Sequence, residues 1–154
     1  MFNEYHATIV NIGVEYGRSI SLFAKAAPFA SVYGVELSPR PEYAVNMAAA
    51  GLTPTVLIGD SAEIGMQWER AIDLCFIDAC HWYNCVVKDI RAWCPHVKVG
   101  GVVLFHDAAP HTNPAPHEQH IEVERAINEW QAQDGNKWRE LNSVDTIRGF
   151  ERVK

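Results

Sequence analysis

A chain of 154 residues is long enough to bury one well-formed core and too short to hold two comfortably. With 48% hydrophobic and 21% charged residues it has the composition of an ordinary soluble globular domain, and a net charge of -6 without a Lys/Arg cluster removes the electrostatic footprint that phosphate-backbone binding requires. No apolar run reaches membrane-spanning length, and the opening Met1-Phe-Asn-Glu-Tyr-His6 lacks the basic and apolar regions of a signal peptide, so a cytoplasmic protein with neither nucleic-acid nor membrane partners is expected.

Along the chain, apolar strands alternate with helical patterns. Ala7 to Gly13 is an apolar run ending at glycine, and Ser19 to Ala27 places Ile20, Phe23, Ala24 and Ala27 at helical spacing before Pro28. Ser31 to Leu37 reads as the second strand, broken by Pro39 and Pro41 before a helix from Glu42 to Ala50 with Gly51 as its cap. Thr55 to Asp60 is a third strand, Ala62 to Trp68 a weaker helix, and Ile72 to Asp78 a fourth strand. Asn84 to Val97 is amphipathic, with Val86, Val87, Ile90 and Trp93 on one face, and Gly100-Gly101 leads into a fifth strand, Val102 to Phe105. A loop rich in proline and histidine, Ala108 to Pro116, should lie over the strand ends, followed by a helix from Glu118 to Ala132 and an antiparallel hairpin of Lys137 to Leu141 with Thr146 to Arg152. The alternation predicts an α/β fold: a single doubly wound, Rossmann-like sheet, mostly parallel, ending in an antiparallel C-terminal hairpin.

Two strands end alike. Ile72-Asp-Leu-Cys-Phe-Ile-Asp78-Ala-Cys-His81 and Gly100-Gly-Val-Val-Leu-Phe-His106-Asp107 each close on an acid and an imidazole. In a parallel sheet the carboxyl ends of the strands open onto one crevice, so Asp78, His81, His106 and Asp107 should converge there. Two carboxylates beside imidazoles suit a divalent cation and a general base, whereas either acid alone would serve equally as a helix or turn cap. The four cysteines, Cys75, Cys80, Cys85 and Cys94, show no zinc-site spacing, and reduced thiols without a chemical role are expected.

The first turn holds Gly13, Gly17 and Ser19, but Glu15 and Arg18 occupy the positions where a dinucleotide fingerprint needs its later glycines. A carboxylate at Glu15 would repel a pyrophosphate. The turn instead suits a cofactor without phosphate, such as S-adenosylmethionine, whose sulfonium favours an acidic crevice. Glu36 ends the second strand 23 residues after Gly13, close to the interval at which an acid takes ribose hydroxyls. Asp60 and Ser61 end the third strand on the adenine side, where Asp60 would otherwise be a helix N-cap.

In this order and spacing, Ile12-Gly13-Val14-Glu15-Tyr16-Gly17-Arg18-Ser19, Glu36, Gly59-Asp60-Ser61, Phe76-Ile77-Asp78-Ala79-Cys80-His81 and Val99-Gly100-Gly101 leading to His106-Asp107 resemble the class I S-adenosylmethionine-dependent methyltransferases. The likeness is greatest to the small metal-dependent O-methyltransferases that include macrocin O-methyltransferase and cephalosporin-hydroxylase-like proteins. The resemblance implies S-adenosylmethionine bound at Gly13, Glu15, Gly17, Ser19, Glu36, Asp60, Ser61 and Asp78. It further implies a divalent metal, Mg²⁺ or alternatively Mn²⁺, at Asp78, His106 and Asp107, with His81 as the base for O-methylation of a small-molecule hydroxyl. Three departures stand out. Asn11 replaces the acid that many relatives carry two residues before the first glycine, Ala79-Cys80 replace the small or glycine-rich pair usual in the group, and His106 is softer than a carboxylate.

Only six residues precede the first strand, so the expected organisation is one S-adenosylmethionine-binding domain over residues 1–154 without an N-terminal cover segment. A lid would then come from the loop after Asp107 or from another subunit of a homo-oligomer, or the site would be left open. The alternative function is a non-catalytic or partner-dependent S-adenosylmethionine-binding module. His111, His117 and His120 could add metal ligands but are expected to be solvated, and Trp82-Tyr83 to stack on a flat substrate or to pack against the neighbouring helix.

Overall fold

The computed structural model describes residues 6–108 and 118–154. The expected lid loop and the imidazoles of His111 and His117 lie outside the described residues. Among the described residues, seven strands form one sheet in the order β3-β2-β1-β4-β5-β7-β6. Strands β1 (Thr8–Ile12), β2 (Ser31–Glu36), β3 (Thr55–Ile58), β4 (Ile72–Ile77) and β5 (Val97–Phe105) run parallel, while β7 (Arg148–Arg152) inserts antiparallel between β5 and β6 (Trp138–Glu140). The expected doubly wound sheet and terminal antiparallel pair are both present. Strand order reverses between β1 and β4, and such a switch point is where open α/β sheets bind ligands.

The central strands are near-continuous apolar runs because both of their faces are covered. On one face Ile9, Val14, Ile20, Val32 and Met47 pack under α1 (Arg18–Ala26) and α2 (Pro41–Ala50). On the other, Val10, Ile12, Cys75, Ile77 and Phe105 pack with Trp93, Ile127 and Trp130 of α4 (Tyr83–Trp93) and α5 (Glu118–Asp134), with α3 (Ser61–Met66) beside α4. Alternation along a strand sends neighbouring side chains to opposite cores, as for Ile9 and Val10.

Local chemistry sets the helix ends. Pro41 occupies the first turn of α2, and Gly51 closes that helix at φ 66°. The α4 segment is shorter than its amphipathic pattern suggests. Pro95 cannot donate to the helix ladder, so the chain tightens into a 3₁₀ turn over Cys94–His96 and β5 begins at Val97 rather than Val102. The pairing jumps from Ile72↔Val97 to Leu74↔Val102, and Gly100, at φ 80°, absorbs the resulting bulge.

Register aligns the site. Ile12 pairs with both Val35 and Ile77, and Ile77 pairs with Phe105. The next residues, Gly13, Glu36, Asp78 and His106, therefore form a row across the carboxyl edge. The ladder continues through that row: Gly13 N–H donates to Val35 O at 2.9 Å, Asp78 N–H to Ile12 O at 2.9 Å and His106 N–H to Ile77 O at 3.1 Å. Among the described residues, no helix is long and apolar enough to cross a membrane.

Candidate active site

A crevice of about 970 Å³ opens along this row, at the upper end of the range for small-molecule sites. Its wall includes Gly13, Glu15, Ser19, Glu36, Asp60, Ser61 and Asp78. Gly17 is not on that wall. With φ 87° it forms the turn into α1, donates to Val14 O at 2.7 Å, and leaves no room for a side chain against Met47 and Tyr43. It shapes the turn and does not reach the crevice. Gly13, at φ 82°, approaches β4 so closely that a Cβ would overlap the Asp78 carbonyl oxygen, which is why glycine is required there.

Glu36 organises the glycine turn. Its Oε2 accepts the Val14 N–H at 3.0 Å and the Glu15 N–H at 2.9 Å, while Oε1 accepts a longer bond from Ser38 N–H at 3.3 Å. Glu15 takes φ 45°, a left-handed conformation that aims its N–H at this carboxylate. Asn11, fully buried, donates from Nδ2 to Gly13 O at 2.8 Å. Its Oδ1 is buried without a hydrogen bond.

Asp60 does cap α3: its Oδ1 accepts the Glu63 N–H at 3.0 Å. The Ser61 hydroxyl donates to Asp89, a residue the sequence reading passed over. Asp89 lies on the same helical face as Val86, Ile90 and Trp93, and an acid in that register was the available signal. Burial first, and the Asp60 charge second, raise its pKa to about 6 against the lowering effect of the Ser61 hydrogen bond.

The two acid-imidazole strand ends meet as expected. His106 Nδ1 lies 3.1 Å from Asp78 Oδ1 and 3.4 Å from Asp107 Oδ2. His81 Nε2 lies 3.5 Å from Asp78 Oδ1 and 3.8 Å from Asp107 Oδ2. Both nitrogens are buried atoms without a well-formed hydrogen bond. Asp78, His81 and His106 each offer a ligand atom, all within 4.8 Å of one another. Asp107 is held in the left-handed region at φ 51°, and the following Ala108 N–H is fixed by Thr146 O at 2.8 Å. Such strain costs of order 1–3 kcal/mol and collects at functional sites.

Burial pushes the Asp78 carboxyl upward, but the hydrogen-bonding and charge contributions of His106 and His81 outweigh it and hold the pKa at about 2. In return the Asp78 hydrogen bond raises the pKa of His106 against the opposing effect of burial.

Two expectations change here, and one left open between two alternatives is decided. His120 is not solvated: it sits in the first turn of α5, its side chain 17% exposed, with Nε2 3.4 Å from Asp107 Oδ2. Tyr83 packs against the neighbouring helix, donating its hydroxyl to Glu129 under the guanidinium of Arg125, while Trp82 is 52% exposed. The cysteines are not all reduced. Cys80 and Cys85 form a disulfide across the start of α4, their Cα atoms 5.8 Å apart, whereas Cys75 and Cys94 are free and buried. The bend of the chain into α4 brings these two residues into bridging range although their spacing carries no recognised signature.

A family model described as a methyltransferase domain matches residues 10–108, about two thirds of the chain. Among solved structures, the O-methyltransferase NovP is 14% identical with a TM-score of 0.76, covering 99% of this chain and 74% of that one. The MycE methyltransferase from the mycinamycin biosynthetic pathway, in complex with Mg and SAH, is 15% identical with a TM-score of 0.68, and this chain spans 47% of its length while 99% of this chain is covered. An rRNA methylase from Streptococcus thermophilus is 12% identical with a TM-score of 0.69, covering 97% of this chain and 88% of that one. Similarity at these identities speaks for the fold, and the sheet order and glycine turn agree with it. The match over residues 10–108 goes further, and the chain belongs to the methyltransferase-domain family, as a class I S-adenosylmethionine-dependent methyltransferase.

Proposed function

We propose that this protein methylates a hydroxyl of a small molecule, with a divalent cation assisting at the carboxyl edge of β4 and β5. The observation that carries the reading is the convergence of Asp78, His106, Asp107 and His81 within 3.1 to 3.8 Å at the mouth of the cofactor crevice. Partly buried carboxylates against buried imidazole nitrogens that lack well-formed hydrogen bonds are a donor set that suits a cation. That cation supplies a Lewis acid that makes an acceptor hydroxyl easier to deprotonate. S-adenosylmethionine supplies an electrophilic methyl group on a sulfonium.

The chain's own residues have distinct tasks in this reading. Gly13, Glu15 and Ser19 present the turn on which the cofactor lies, and Glu36 accepts ribose hydroxyl protons while holding the turn through Val14 and Glu15. Asp60 and Ser61 flank the adenine end, where Asp60 keeps α3 capped and Ser61 stays bonded to Asp89. Asp78, His106 and Asp107 hold the cation. His81, at the longer distances from both carboxylates, takes the hydroxyl proton at Nε2, and those carboxylates stabilise the imidazolium that results. The net charge of -6 favours a small acceptor over a nucleic acid.

Isothermal titration with S-adenosylmethionine and S-adenosylhomocysteine, with and without chelator, followed by turnover on catechols, phenols and sugars, tests the reading. Micromolar binding with chelator-sensitive, His81-dependent turnover is the expected result. Cofactor binding with no turnover on any hydroxyl acceptor would leave the protein a binding module and refute the proposal.

A further inference from the structure

His81 sits inside a covalent ring. The Cys80–Cys85 disulfide joins residues five positions apart, His81 follows directly on Cys80 within that ring, and both cysteines belong to the wall of the cofactor crevice. Residues 79–82 lie in neither strand nor helix, and among the described residues no backbone group of Ala79, Cys80 or His81 takes part in a backbone hydrogen bond. Trp82 gives α4 no side-chain cap. The imidazole itself is only loosely anchored: Nε2 has no well-formed hydrogen bond and lies 3.5 Å from Asp78 Oδ1 and 3.8 Å from Asp107 Oδ2. The disulfide is therefore what ties this stretch to the ordered start of α4, where the Cys85 and Val86 N–H groups donate to Trp82 O at 2.9 and 3.1 Å.

The bond is open to chemical exchange. Cys80 is exposed and Cys85 half-buried, whereas Cys75 and Cys94 are buried free thiols, so a reagent meeting the folded protein reaches this pair first. A thiolate of a small dithiol attacks Cys80 Sγ, the S–S bond breaks, and its electron pair leaves on Cys85 Sγ in the first turn of α4, where the helix dipole favours negative charge. The second thiolate of the dithiol then attacks the mixed disulfide and releases Cys80. The protein disulfide gains two electrons, the dithiol is oxidised to its cyclic disulfide, and the protons of the dithiol end on the two cysteines.

We infer that Cys80 and Cys85 are a thiol–disulfide exchange site that sets the position of His81: the oxidised ring holds the imidazole against Asp78 and Asp107, and reduction by a dithiol releases it and lowers methyl transfer. The link to turnover rests on the reading of His81 as the base, whereas control of the turn does not. By loop-closure entropy, opening a ring this short widens the ensemble of the turn by roughly fortyfold. A Cα separation of 5.8 Å lies within the ordinary range for bridged cysteines, so the ring re-forms without moving the backbone.

The test holds the full-length protein in buffers of dithiothreitol and its cyclic disulfide, counts thiols with a maleimide under native conditions, maps backbone hydrogen exchange, and measures turnover on the hydroxyl acceptors. Expected on reduction are release of the Cys80 and Cys85 thiols without unfolding, exchange over residues 79–86 faster by at least about tenfold with β1 unchanged, and turnover lower by at least about tenfold, all reversed on reoxidation. Cys85→Ser should match the reduced parent in exchange and turnover at every buffer ratio, which separates loss of the ring from any action of the dithiol on a cation. Thiols released only on unfolding would overturn the exchange site. Hydrogen exchange over residues 79–86 that is the same in oxidised parent, reduced parent and Cys85→Ser would overturn the hold on His81. Faster exchange with unchanged turnover would overturn the link to methyl transfer. An oxidised protein that turns over no acceptor would refute the methylation reading instead, and the thiol and hydrogen-exchange results would still decide the switch.

Discussion

Asp89→Asn should stabilise the protein in mildly alkaline solution and leave it unchanged in acid. Asp89 is 2% exposed on the buried face of α4, and the Ser61 hydroxyl is its hydrogen-bonding partner there. Its carboxyl is raised from 3.8 to about 6, so the folded state binds the proton more tightly than the unfolded chain. Stability therefore falls as pH rises from the unfolded value through the folded one, and the full deficit is present above about pH 7. A separation of roughly two pH units at 1.36 kcal/mol each bounds the deficit at about 3 kcal/mol. Asparagine matches the shape, carries no charge, and keeps an oxygen that can accept from Ser61. Urea unfolding should accordingly find the variant more stable by about 1 to 3 kcal/mol at about pH 8 and equal to the parent near pH 4. For a chain of this size the gain corresponds to a Tm higher by roughly 3 to 10 °C. A difference between variant and parent that did not change with pH would show that Asp89 is ionised in both states, and the argument from burial would fail.

Glu36→Ala removes the acceptor of two backbone N–H groups as well as the proposed ribose contact, and titration with S-adenosylhomocysteine should show at least about a tenfold loss of affinity. His81→Ala should abolish turnover with cofactor affinity unchanged, which single-turnover kinetics and calorimetry would separate. Gly13 and Gly51 both have positive φ, 82° and 66°, but only a Cβ at Gly13 would meet the neighbouring strand. Denaturant unfolding should find Gly51→Ala down by about 1–2 kcal/mol from conformation alone, and Gly13→Ala destabilised by more than about 3 kcal/mol or unable to fold. Reducing the Cys80–Cys85 bond closes out the set: loss of so short a loop constraint should cost about 2 kcal/mol, seen as a lower Tm under reductant in the parent and not in Cys85→Ser.

Much of this architecture was legible in the linear chain because its signals are local. Apolar runs ending at Gly13, Glu36 and Asp78 mark strands whose ends share one edge, Pro41 and Gly51 bound a helix, and the repeated acid and imidazole at Asp78-His81 and His106-Asp107 name the site. Each depends on residues a few positions apart, where propensity and side-chain period act directly. Pro95, by the same local logic, should have ended α4 early, and the amphipathic pattern through Ile90 and Trp93 masked it.

What tertiary structure alone decided involves partners distant in sequence. The register that sets Gly13, Glu36, Asp78 and His106 in one row comes from strand pairing, and the insertion of β7 between β5 and β6 from the closing of the sheet edge. Only the packing of α4 on α3 turns Ser61 toward Asp89, and only the return of α5 carries His120 to Asp107. A histidine thirteen residues beyond an aspartate and a serine twenty-eight before another have no shared period to betray them. Their meeting is set by how helices bury their apolar faces on the sheet, a collective outcome of the whole core.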